Sequence, residues 1–154
     1  MTSILFVCLG NICRSPLAEG VFRHALDQTG RANQITIDSA GTGAWHVGSL
    51  PDPRSMDVAL RHNIDISGQR ARQVRLEDFG NFDYIFAMDQ DNLSDLQAHA
   101  PSRSRAALRL FLTDPDTDVP DPYYGGDKGF ETIYQMLKGG SEKLLKELIA
   151  SDPS

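Results

Sequence analysis

Cysteine is scarce in this chain. Only two occur in 154 residues, at positions 8 and 13. Two cysteines close at most one disulfide, which excludes a disulfide-stapled scaffold, and a reducing compartment keeps such a pair open. No run of Lys and Arg is present either. The 15 basic residues are outnumbered by 21 acidic ones, giving a net charge of −6, and this excludes sequence-independent nucleic-acid binding, whose affinity comes from neutralising phosphates. No apolar run is long enough for a membrane span. The N-terminal one, Ile4 to Val7, is short and has no basic n-region before it, so it does not read as a signal peptide. The expected location is therefore the cytoplasm, with neither membrane nor nucleic acid as partner. The four histidines, His24, His46, His62 and His99, show no metal-ligand spacing with one another or with the cysteines. They read as surface or packing residues, and no metal or cofactor is expected. Repeats, low-complexity tracts and linkers are also missing, so residues 1–154 read as a single domain with a real core.

What is present alternates. Ser3 to Val7 is a short β-prone run of the kind buried in a parallel sheet, ending near Cys8. Ser15-Pro16 is a helix start, with a hydroxyl at the cap and proline in the first turn, followed by Leu17, Val21, Phe22, Ala25 and Leu26 at helical spacing. That helix is expected to end near Thr29-Gly30. Ile35 and Ile37 suggest a second strand running into a small-residue turn at Ser39-Ala40-Gly41-Thr42. Pro53 opens a helix through Leu60, Asp83 to Met88 reads as a third strand, Asn92 to Ala98 as a helix, and Ala107 to Leu112 as a fourth strand. The segment from Asp114 to Gly126 has no periodicity and is rich in Pro, Asp and Gly, so it reads as a long functional loop. A closing amphipathic helix runs from Phe130 to Leu148, weakened at Gly139-Gly140. Alternation of this kind predicts an α/β fold with a parallel sheet, helices on both faces, and ligands beyond the carboxyl ends of the strands.

Cys8 lies at such an end. The stretch from Cys8 to Ser15 runs from a strand tip into a helix N-terminus, where free N–H groups and the helix dipole favour an anion. Gly10 permits a tight turn, and Asn11 tolerates a left-handed conformation, so successive N–H groups can point inward as a nest. Arg14 adds a planar guanidinium that binds two oxygens of a tetrahedral dianion at once. The same field lowers the pKa of a nearby thiol, and Ser15 can donate its hydroxyl proton to the resulting thiolate. A thiolate at the floor of a phosphate cradle is a nucleophile aimed at phosphorus.

The run Cys8-Leu9-Gly10-Asn11-Ile12-Cys13-Arg14-Ser15-Pro16 resembles the Cys-x5-Arg-Ser signature of the low-molecular-weight protein tyrosine phosphatases. The resemblance continues through Ser39-Ala40-Gly41-Thr42, Trp45-His46 and Asp121-Pro122-Tyr123-Tyr124, and so spans essentially the whole chain. It implies a four-stranded parallel sheet in a three-layer fold and metal-free hydrolysis through a phosphocysteine. It also implies Cys8 as nucleophile, Arg14 on the phosphoryl group and Asp121 as general acid and base. Residues 9 to 13 and Ser15 would cradle the substrate, with Leu9, Trp45, Tyr123 and Tyr124 walling the cleft around a phenyl ring. Ser39 is expected to brace Asn11, and Cys13 to trap an oxidised Cys8 as a disulfide. One departure is visible: aligning on Ala71-Arg72-Gln73 puts Gln69 where many relatives carry a histidine.

Substrates implied are phosphotyrosine proteins or small aryl phosphates, with phosphate and other oxyanions as inhibitors of a monomeric enzyme. Three other readings are open to the sequence. Thiol-dependent arsenate reductases share the loop but relay a disulfide through further cysteines, which this chain lacks, leaving only a glutathione- or mycothiol-type relay. Protein-arginine phosphatases tend to have threonine where Ile12 stands and lack the tyrosine pair. A non-catalytic phosphotyrosine-binding module would need neither Cys8 nor Asp121.

Overall fold

The structure is a computed structural model that describes residues 2–122 and 127–151. Tyr123 and Tyr124 lie outside the described residues. Four strands, β1 (Thr2–Cys8), β2 (Ile35–Gly41), β3 (Tyr84–Ala87) and β4 (Ala107–Leu110), form one sheet of order β2-β1-β3-β4. Every pairing is parallel. The helices are α1 (Arg14–Asp27), α2 (Pro53–Arg61), α3 (Asp78–Asn81), α4 (Gln90–His99) and α5 (Asp127–Ser151). No helix among the described residues is long and apolar enough to cross a membrane.

The apolar run of β1 is unbroken because both of its faces are covered. Side chains alternate along a strand, so Ile4, Phe6 and Cys8 face one core, with Leu17, Phe22, Ile133 and Leu137 of α1 and α5. Leu5 and Val7 face a second core with Phe79 of α3 and Leu96 of α4. The result is three layers. Phe6 centres the larger core, with its ring centroid 5.8, 6.0 and 5.3 Å from those of Phe22, Phe86 and Phe111. Such aromatic pairs add to the gain from area buried.

Several boundaries differ from the sequence reading, each for a physical reason. The Ser39–Gly41 segment is strand rather than turn, since pairing with β1 continues to Cys8↔Gly41. α1 begins at Arg14 with no side-chain cap, because the Ser15 hydroxyl is engaged elsewhere. α2 does start as expected, with Asp52 accepting from the Arg54 N–H at 2.8 Å. The short α3 carries no signal in periodicity. β4 ends at Leu110, and an isolated antiparallel bridge between Leu112 and Thr117 turns the chain back.

α5 is continuous through Gly139 and Gly140, and the two glycines have different surroundings. A Cβ on Gly139 meets nothing within 4 Å, whereas one on Gly140 falls 2.6 Å from Leu112 Cδ2 and 2.8 Å from Phe111 Cε2. Gly140 therefore lets α5 lie flush on the end of β4. Gly139→Ala is expected to raise stability by about 1 kcal/mol through helix propensity. Gly140→Ala is expected to lower it, as overpacking of about 1–3 kcal/mol outweighs the same gain. Thermal unfolding of the two variants against the parent protein checks the opposite signs.

Candidate active site

The loop from Cys8 to Ser15 joins the buried centre of the sheet to the first turn of α1, and its backbone is gripped from outside. The carbonyl of Cys8 accepts from Thr42 N at 2.9 Å, that of Leu9 from Gly43 N at 2.9 Å and that of Ile12 from Asp52 N at 2.7 Å. The Ser55 hydroxyl donates to the Cys13 carbonyl at 3.3 Å. A trans peptide points its N–H opposite to its C=O, so the N–H groups of Leu9, Gly10, Cys13 and Arg14 turn toward the inside of the loop. That is an anion nest. β2 packs close behind it: a Cβ on Gly41 would lie 2.8 Å from the Leu9 carbonyl oxygen. The sequence showed Gly41 only as part of a small-residue turn.

Asn11 is left-handed, with φ of 58°, and only 2% exposed. Its amide donates to Ser15 Oγ at 2.7 Å and to Ser39 Oγ at 3.0 Å, and its carbonyl accepts from the Arg72 N–H at 3.0 Å. Ser15 Oγ lies 3.0 Å from Cys8 Sγ. Asn11, Ser15 and Ser39 thus form a buried brace behind the loop rather than a surface inside it. Gly10 has no positive φ; its missing side chain makes room for the His46 ring, which a Cβ would approach to 2.9 Å.

In front of the loop is a cleft of about 290 Å³. Cys8, Gly10, Ile12, Cys13 and Arg14 line its base, Leu9, Trp45 and His46 its wall, and Asp121 its mouth. Arg14 is 2% exposed, and its Nη1 donates to Asp89 Oδ2 at 2.5 Å and to the Val119 carbonyl at 2.9 Å. Its Nη2 lies 3.6 Å from Asp121 Oδ2. Burial opposes the arginine charge, but Cys8, Asp89 and Asp121 outweigh it and hold the guanidinium more firmly protonated than usual. Burial, with Asp52, Cys8 and Asp121 adding to it, pushes the Cys13 thiol up to about 12. Both cysteines are free.

Two residues here, Asp89 and Val119, were not singled out from sequence. Asp89 follows β3 and caps α4, accepting from Asn92 N at 2.8 Å while it holds Arg14; its position after a strand end was the available signal. Val119 fastens the late loop, its N–H donating to the Met88 carbonyl at 2.7 Å. His46 stands in the cleft wall rather than on an inert surface. Asp118, in the late loop, is exposed but accepts from Gln90 N at 3.0 Å. Gln69 does not reach Asn11; it donates to the Pro16 carbonyl at 3.0 Å. Of the other histidines, His62 meets Glu131 at 2.9 Å and stacks on Tyr134, and no cluster of metal-ligating groups occurs among the described residues.

A Cys-x5-Arg-Ser loop at the carboxyl end of the first strand, in a parallel sheet of order β2-β1-β3-β4, defines a class of α/β phosphatases. Residues 3–153 match the sequence model of one family, described as low molecular weight phosphotyrosine protein phosphatase. The chain belongs to that family. It is 49% identical over 150 residues to the low molecular weight phosphotyrosine protein phosphatase of Schizosaccharomyces pombe, covering 94% of this chain and 96% of the relative. It is 43% identical over 152 residues to the low molecular weight protein-tyrosine-phosphatase YfkJ of Bacillus subtilis, covering 96% of both. The crystal structure of a protein tyrosine phosphatase from Entamoeba histolytica, with Hepes in its active site, superposes with a TM-score of 0.92 at 38% identity, covering 98% of this chain and 99% of that one.

The two thiols are expected to differ in reactivity. At neutral pH iodoacetamide should label Cys8 and leave Cys13 unmodified until the protein is unfolded, as peptide mass spectrometry of native and denatured samples would show. Equal labelling of both in the native protein would contradict the position assigned to Cys13.

Proposed function

We propose that this protein hydrolyses phosphotyrosine in proteins and small aryl phosphate monoesters through a phosphocysteine intermediate. The observation that carries the reading is convergence: β1, the first turn of α1 and the late loop bring Cys8, Arg14 and Asp121 to one cleft. The phosphoryl oxygens bind the inward N–H groups and Arg14 Nε and Nη2, since Nη1 is occupied by Asp89 and Val119. Cys8 Sγ, held by the Ser15 hydroxyl, attacks phosphorus as the bond to the phenolic oxygen breaks, and Asp121 gives that oxygen its proton. Water then attacks the phosphocysteine, Asp121 takes a proton from it, and phosphate leaves as the Cys8 thiolate re-forms. No step needs a metal.

Leu9 and the largely exposed Trp45 offer a flat apolar wall to a phenyl ring, and the family resemblance alone implies Tyr123 and Tyr124 as further substrate-binding residues. A phosphoryl group bound at the base of such a slot favours the longer tyrosyl ester over phosphoserine. Ile12 at the cleft base supports an aryl ester over phosphoarginine. The domain spans residues 1–154 and acts as a monomer, since one chain supplies every catalytic group. Phosphate and other oxyanions compete for the cradle. The two free thiols fit a reducing cytoplasm.

Oxidation follows from the same geometry. Peroxide converts the Cys8 thiolate to the sulfenic acid, and attack by Cys13 sulfur then forms a disulfide with loss of water. The Cys8 charge that helps keep Cys13 protonated disappears at the first step, which favours the second.

Cys8→Ser should abolish turnover of para-nitrophenyl phosphate while vanadate still binds; activity in that variant would overturn the nucleophile. Asp121→Asn should slow hydrolysis of phenyl phosphate by about 10²-fold or more, and much less for esters of acidic phenols. A loss independent of the leaving group would assign Asp121 a structural role. After peroxide and then dithiothreitol, the parent protein should recover activity and Cys13→Ser should not.

A further inference from the structure

Behind the catalytic loop lies a second arginine that the proposed chemistry does not touch. Arg72 is clamped by two carboxylates from different elements. Its Nε and Nη2 donate to Asp38 Oδ2 at 3.2 and 3.1 Å, and its Nη1 and Nη2 to Asp78 Oδ2 and Oδ1 at 2.9 and 3.2 Å. Asp38 belongs to β2 and Asp78 to α3. Burial works against the Arg72 charge, and the two carboxylates more than offset it. Five donors in a fixed fork match this arrangement, which a lysine would not reproduce.

The backbone of the same residue is tied in as firmly. Its carbonyl accepts from Gly41 N at 2.8 Å, and its N–H donates to Asn11 Oδ1 at 3.0 Å. This last bond has a direction. A backbone N–H only donates, so it fixes which end of the Asn11 amide is oxygen. The Asn11 NH2 group must then face Ser15 and Ser39, and both hydroxyl oxygens act as acceptors. With its oxygen accepting from Asn11, Ser15 has one hydrogen to give and two acceptors in reach, Cys8 Sγ at 3.0 Å and, farther off, the Ala40 carbonyl at 3.4 Å; the closer contact is the one to sulfur. Ser39 is held in the same way from Asp38, whose Oδ1 accepts the Ser39 N–H at 2.8 Å, and its hydroxyl donates to the buried Glu19. Both Asn11 donors are therefore turned to the two serines, and the order starts at the Arg72 N–H.

We propose that Arg72, clamped by Asp38 and Asp78, is a positioning residue that fixes the Asn11 amide and so commits the Ser15 hydroxyl to the Cys8 sulfur. The inference rests on the reading of Cys8 as nucleophile. Without the clamp the segment bearing the Arg72 N–H loosens, the amide is free to turn, and Ser15 donates to Asn11 Oδ1 instead of to sulfur. A thiolate deprived of that donor forms less readily.

The test is the rate–pH profile of Arg72→Ala on para-nitrophenyl phosphate, with Asp78→Asn as a milder variant should Arg72→Ala fold poorly. Thermal unfolding and vanadate binding check that the cradle persists. The expected result is a loss in kcat of about tenfold or more with a smaller change in KM. The acid limb should move to higher pH, so that the deficit shrinks as pH rises. In a Ser15→Ala background the same substitution should cost little, because the end of the chain is already gone. Arg72→Lys should recover only part of the rate. A uniform loss at every pH, or an equal loss with and without Ser15, would overturn the inference and leave Arg72 a purely structural clamp. Full turnover by Cys8→Ser would instead overturn the nucleophile itself, so the two failures are distinguishable.

Discussion

A guanidinium placed where water scarcely reaches must find its counter-charges within the protein, and Arg14 finds them at the ends of separate parts of the chain. Asp89 comes from the junction of β3 and α4, the Val119 carbonyl from the late loop, and Asp121 from the same loop two residues on. Because Arg14 itself opens α1, this one buried charge ties the first crossover, the third strand and the loop after β4 into a single site. The late loop needs the tie most, since it has no regular structure of its own. Val119 on Met88 and Asp118 on Gln90 hold it to the sheet just before Asp121.

The brace behind the loop solves a different problem. An anion nest needs an asparagine in a left-handed conformation, which L residues adopt only at some cost. That cost is met by filling the hydrogen-bonding capacity of the Asn11 side chain from β2, from α1 and from the segment around Arg72. The carbonyls around it are engaged from outside by Thr42, Gly43 and Asp52. The loop is therefore shaped for an anion by bonds that no anion touches, which is electrostatic preorganisation in structural form.

The sequence showed the reacting groups more clearly than their supports. Cys8, Arg14 and Asp121, which line one cleft, were legible because the roles proposed for them, nucleophile, anion-binding fork and acid, have distinctive chemistry and the family resemblance marks their places. Strand β1 was legible from its apolar run and helix α2 from the proline that opens it, Pro53. Asp89, Asp38 and Asp78 were not, because an aspartate that partners a distant arginine looks like any cap or surface residue until the sheet register brings the two together. Ser15 carried two local meanings, helix cap and donor to the thiol, and the tertiary fold decides between them: α1 has no side-chain cap and Ser15 Oγ lies 3.0 Å from Cys8 Sγ. Gly41 and Gly140 carried no message beyond flexibility, yet both mark places where backbone or ring packs too closely for a side chain.

The parallel order β2-β1-β3-β4 has a consequence for how such a chain comes to life on the ribosome. Cys8, the proposed nucleophile, is made at the end of β1, a strand that has no sheet neighbours until β2 and β3 have followed. Asp121, the proposed acid, appears only after all four strands, and α5, which packs in the same core as Phe6 and Phe111, comes later still. A growing chain therefore carries a thiol without the fold that directs it, and activity cannot precede the synthesis of α5. Catalysis here arrives together with the core.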